Sequence, residues 1–165
     1  MAIHYSVSDM LQESLVEMVL VADYCIKYRK NIKEWGSSGC FGYPAAILLL
    51  SVADSIGSYV LGGYVGDHFN ILKHRDYYNL NLSDGYIDII YKKYRNLLNH
   101  NAVMAVDCIL DIGMENGLVF ELKDNKPVLN LLPLLNVTKK AVAKFLERVE
   151  NIVISSQQLQ YILQE

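Results

Sequence analysis

The sequence predicts an all-α fold, a bundle of four to five helices carrying a small β-hairpin near residues 118–132. Apolar residues recur at helical spacing in several long stretches, while one short pair of apolar runs, "LVFEL" and "VLNLL", flanks the turn-forming "KDNKP". With 52% apolar residues, 20% charged residues and only three prolines in 165 positions, the chain has the composition of a folded globular protein. This length suits one core, so residues 1–165 are expected to form a single domain.

The elements follow in order. Ser6 with Asp9 makes a capping-box-like start, and Leu11, Leu15, Met18, Ala22 and Ile26 give a first amphipathic helix to about Asn31. The glycine-rich "GSSGCFGYP" connects it to a second, more apolar helix, with Pro44 suited to the first turn and Gly62, Gly63 and Gly66 at the end. Asp67 to Gly85 carries mixed signals and reads as an irregular or partly helical crossover. Ser83 or Asp84 then caps a third helix with an apolar stripe of Ile87, Ile90, Tyr91, Tyr94, Leu97 and Leu98; Asp88, Lys92, Arg95 and Asn99 run beside it. The hairpin spans Leu118–Leu122 and Val128–Leu132, with Pro127 expected at a strand edge. A last helix is expected from near Thr138, with Val142, Phe145, Val149 and Ile152 inward, and a short segment at Leu159, Ile162 and Leu163 closes the chain.

Tyr43 to Val65 is long enough to span a bilayer, with Asp54 its one charge. A mid-span carboxylate would cost about 2.5–3.5 kcal/mol, and no Lys/Arg cluster flanks the segment, so a buried core helix is the preferred reading over a membrane span. Asp54 itself must then be partly exposed, hydrogen-bonded, or ionised against a cation such as Arg95.

Cys25, Cys40 and Cys108 form no C-x-x-C pair and are odd in number, which suggests neither a disulfide framework nor a zinc module. The N-terminus has no basic region followed by an apolar run, so the expected location is cytoplasmic. A net charge of −3 argues against coating nucleic acid by bulk charge and leaves only a local patch. Lys73, His74 and Arg75, with Lys92 and Lys93, are the candidates for such an RNA-binding rim, and the nearby tyrosines for stacking on bases. The spacing of His68 and His74 matches no metal motif, and neither "GSSGCFG" nor "GGYVG" is a phosphate loop; no metal and no cofactor are expected.

The chemistry concentrates in "YRNLLNHNA", Tyr94 to Ala102. On an ideal helix, residues five apart lie about 140° apart, so Arg95 and His100 point to different sides. A long Arg side chain, a helix that stops before His100, or a second copy across a two-fold axis would each bring them together. A histidine suits proton transfer from a 2′-hydroxyl, and an arginine fork suits the phosphate that this hydroxyl attacks. Asn96, directly after Arg95, is the third catalytic candidate, able to orient the histidine or the phosphate through its amide; Asn99 and Asn101 are auxiliary, with Asp54 as an anchor for the guanidinium. The plainer alternative makes Arg95 and Asn99 solvated and has His100 with Asn101 cap the helix end.

"R-N-L-L-N-H", Arg95 to His100, resembles the R-x4-6-H motif of the HEPN superfamily (higher eukaryotes and prokaryotes nucleotide-binding domain), in which a polar residue, here Asn96, follows the Arg. The resemblance covers six residues in motif, and in outline the order of helices from Ser6 to Ile152. It implies a homodimer in which Arg95 and His100 of both copies share one cleft, acting on RNA as a metal-independent endoribonuclease. It also implies toxin or phage-defence use beside a nucleotidyltransferase-like antitoxin. The hairpin and the acidic charge depart from the minimal family pattern. The rival class is a non-catalytic helical dimer that binds a nucleotide or a partner protein.

Overall fold

A computed structural model describes residues 5–156 of the chain, and the short segment at Leu159, Ile162 and Leu163 lies outside them. The elements are α1 (Val7–Lys27), α2 (Ile32–Trp35), α3 (Gly42–Val60), α4 (Val65–His68), a 3-10 turn (Phe69–Lys73) and α5 (Asp84–Ile89). A π-helical stretch (Ile90–Asn96) continues α5 into α6 (Leu97–Asn101). Three strands follow, β1 (Ile109–Asp111), β2 (Phe120–Lys123) and β3 (Lys126–Asn130), then α7 (Leu131–Leu146) and α8 (Val149–Ser155). The fold is mostly helical, with one small sheet.

α3 is the axis of the core. It is long and apolar enough to cross a membrane, but Ala45, Ala46, Leu49, Leu50, Val52, Ala53 and Ile56 are fully buried, and α1, α4, α7 and the 3-10 turn pack around it. Protein, rather than lipid, covers that surface. α1 starts as expected, with Ser6 Oγ accepting from the Asp9 amide at 3.1 Å. It stops at Lys27 rather than Asn31, because Asn31 caps a separate turn: its Oδ1 accepts from the Lys33 amide at 3.0 Å. Asp23 ties α1 to α7 through Lys139 at 2.8 Å.

The hairpin is tighter than its apolar runs suggested and belongs to a larger sheet. Lys123 pairs with Lys126, leaving Asp124 and Asn125 as a two-residue turn with φ of 50° and 59°, a left-handed geometry that Asp and Asn tolerate. β1 adds a third strand, parallel to β3, so the order is β1-β3-β2 and Pro127 lies on the central strand rather than at an edge. Proline fits there because pairing with β1 begins only at Val128, opposite Ile109. The helix expected near Thr138 begins seven residues earlier, at Leu131 directly after β3, with Pro133 in its first turn where no helical amide is needed. The apolar run "VLNLL" is therefore shared between a strand and a helix start.

Two contacts fix the elements around Asp54 and Arg95. Tyr94 is fully buried, and its hydroxyl is shared between the Ile109 carbonyl at 2.9 Å and the Pro127 carbonyl at 2.7 Å, joining the π stretch to both β1 and β3. At the far end of α3, a Cβ placed on Gly57 would lie 2.1 Å from the His68 carbonyl oxygen. Only glycine admits that approach, and it draws α4 onto α3 one turn from Asp54.

Gly57→Ala should therefore cost about 1–3 kcal/mol or more in urea unfolding, because a backbone carbonyl must move. Gly85→Ala is the control, since its added Cβ meets only Ser83 Oγ at 3.8 Å; it should be neutral or stabilising. Burial pushes the phenols of Tyr94 and Tyr78 well above their ordinary value. The unfolded chain ionises these groups near pH 10 while the folded chain keeps them protonated. Stability should hold below pH 10 and fall as pH rises beyond it. Tyr94→Phe should lose about 1–2 kcal/mol at pH 8 and flatten that alkaline fall, both read by denaturation at each pH.

Candidate functional site

Arg95 does not continue the exposed row that Asp88 and Lys92 begin. Those two pair at the surface at 2.9 Å, while Arg95 turns inward onto α3. The π stretch accounts for the change: i→i+5 hydrogen bonding widens the turn and shifts the phase of every later residue relative to an α-helix. Arg95 Nη2 then donates to Asp54 Oδ2 at 2.6 Å, and Nη1 donates to Asn96 Oδ1 at 3.1 Å. The side chains of Arg95 and Asp54 are only 18% and 14% exposed, so this is a largely desolvated ion pair. Arg95 Nε is buried and makes no hydrogen bond among the described residues.

Asp54 has a second partner that sequence reasoning passed over. His68 Nδ1 lies 2.9 Å from Asp54 Oδ1, and His68 Nε2 lies 3.3 Å from the carbonyl oxygen of Gly63. One carboxylate thus joins α3, α4 and the π stretch through its two oxygens. No short-range signal marks the pairing, because residues 54 and 68 meet only where the chain folds back over Gly57. The sole hint was the lone carboxylate in an apolar helix, which demanded a partner.

The other candidates fall elsewhere. His100 is exposed on the last turn of α6, beside the equally exposed Asn99 and Asn101, and makes no hydrogen bond or ion pair among the described residues. Neither His100 nor Asn101 caps the helix: the end is closed by the backbone of Ala102, in left-handed geometry with φ 55°. Arg95 and His100 therefore do not pair within one chain. Lys92 is engaged by Asp88, Lys93 by Asp107 and Lys73 by Asp84, so the three lysines expected in a basic rim are each held by a carboxylate. The Asp107 carboxylate raises the Lys93 ammonium above its usual range and is itself lowered in return. Beyond α6 the chain reaches Met104, which with Lys30, Tyr43, Pro44 and Asp111 lines an open cleft of about 350 Å³. Among the described residues, no three His, Cys, Asp or Glu side chains converge as a metal site.

No family model, curated protein or solved structure matches this chain.

Removing Asp54 would strand Arg95 and His68 without their common anion. Asp54→Ala should cost about 3 kcal/mol in urea unfolding, and adding Arg95→Met should recover part of it, because an apolar side chain leaves no buried charge unpaired. Additive losses in the double variant would show that the pair is not coupled.

Proposed function

We propose that the chain is a HEPN-like, metal-independent endoribonuclease whose site is completed by a second copy, with Arg95 holding the phosphate and His100 moving the proton. The observation that carries this reading is the division of labour along one helix: Arg95 is anchored by a carboxylate, while His100 stands exposed, unpaired among the described residues, about one turn and a half later. An anchored guanidinium is pre-oriented for charge that develops on a phosphate, and an exposed imidazole is accessible to a nucleic acid. Since the two do not meet in one chain, a two-fold arrangement that brings both copies of α6 together is the geometry in which they serve a single phosphate. In that site one His100 takes the 2′-hydroxyl proton, the 2′-oxygen attacks phosphorus, and the bond to the 5′-oxygen breaks. The second copy's His100 returns a proton to the leaving oxygen, and the products are a 2′,3′-cyclic phosphate and a 5′-hydroxyl. A cytoplasmic location and control by a nucleotidyltransferase-like antitoxin, in a toxin or phage-defence setting, belong to the same proposal.

A second reading is favoured by the very ion pair that anchors Arg95. A guanidinium held in a closed internal network suits a structural cation, in a non-catalytic helical dimer that takes a nucleotide or a partner protein. The cleft beside Met104 is of a size for a small ligand in that case.

RNA incubated with the purified protein and a chelator separates the two. The wild type should leave cyclic phosphate ends, and Arg95→Ala and His100→Ala should each lower cleavage by about 100-fold or more. Equal cleavage by all three proteins would end the ribonuclease reading.

A further inference from the structure

We infer that His68 is a positioning residue that sets the pose of Arg95 through Asp54; this rests on the reading of Arg95 as the phosphate-holding group. Both carboxylate oxygens of Asp54 are engaged. Oδ1 of Asp54 is taken by His68 Nδ1 at 2.9 Å, and Oδ2 by Arg95 Nη2 at 2.6 Å. A carboxylate bound through one oxygen alone rotates about its last side-chain torsion, which is broad. Bound through both, it is fixed in one plane, and Oδ2 presents a single direction to the guanidinium.

His68 is itself held more firmly than a surface side chain. It is 6% exposed, its backbone lies against Gly57, and its second ring nitrogen faces the Gly63 carbonyl at 3.3 Å. Gly63 adopts φ +84°, a turn conformation that aims this carbonyl back at the ring. A chain of contacts thus runs from a glycine-dependent turn, through His68 and Asp54, to Arg95. Its terminal member is imperfectly satisfied, since Arg95 Nε is buried without a partner. Among the described residues the guanidinium is held by Asp54 and Asn96, so a loosened Asp54 releases it to other poses. Groups that orient a functional side chain in this way act on rate more than on binding.

The two ring nitrogens can be separated by substitution. An Asn side chain at position 68 places its amide nitrogen near the site of Nδ1 and keeps the donor to Asp54. A Gln reaches toward the site of Nε2 and keeps only the link to Gly63. Two readouts are needed: RNA cleavage in the presence of chelator, resolved into kcat and KM, and the Arg95 Nε–H signal in ¹⁵N NMR, assigned through its loss in Arg95→Lys. His68→Leu should lower kcat by about 10- to 100-fold with KM little changed, and should shift the Arg95 signal. His68→Asn should restore both, and His68→Gln neither, although all three variants lose some stability.

Equal behaviour of the Asn and Gln variants, or an Arg95 signal unmoved in His68→Leu, would overturn the inference and leave His68 as packing only. If the wild type cuts no RNA, the NMR comparison still decides: a signal lost with Leu and regained with Asn upholds the positioning role while the ribonuclease reading falls.

Discussion

Asp54 is a carboxylate on α3, the apolar helix around which the core packs, and the arrangement around it follows from the need to keep that charge paired. A charge in such a place is unfavourable unless opposite charge and hydrogen bonds reach it. Two segments distant in sequence do so, α4 with His68 and the π stretch with Arg95. Each is brought there by a local departure from regular structure. Gly57 removes the side chain that would hold α4 away, and the widened π turn rotates Arg95 from the solvent side to the core side of its helix.

The same economy explains why the helix bearing Arg95 is held so rigidly below the site. Tyr94, the adjacent residue, binds two strand carbonyls while Arg95 binds Asp54 on α3, so residues 94 and 95 are tied to both the sheet and α3. The small sheet is thereby part of the platform rather than an appendage. Its parallel strand β1 supplies one of those carbonyls. His100, beyond this clamped region, is left at the surface, where it is available to a second molecule.

Charge at the surface is arranged differently. Lys73, Lys92 and Lys93 each face a carboxylate, in a chain of net charge −3. Such exposed pairs contribute little to stability and are screened by salt. Under the proposed ribonuclease reading, an RNA would have to exchange these partners or approach along a surface built by two copies, a constraint that favours a narrow and specific contact over general affinity for nucleic acid.

Much of the helical framework was legible in the residues alone. The Ser6 and Ser83 caps, Pro44 in the first turn of α3, the glycine exit after Val60 and the stripe from Ile87 to Leu98 are local signals, set by backbone preference and helical period. Asp54 as an anomaly, and Arg95 as its candidate partner, could also be read from a lone charge in an apolar run. What tertiary structure alone decided depends on contacts between distant residues. β1 is three residues long and carries no period of its own; only β3 makes it a strand. The inward turn of Arg95 needed the π register, which no side-chain pattern announced. His68 became part of the site because Gly57, eleven positions earlier, lets two backbones touch. Local sequence determines which segments form and which charge needs a partner, whereas the choice of that partner is made by packing, because desolvation acts on whichever groups the fold brings together.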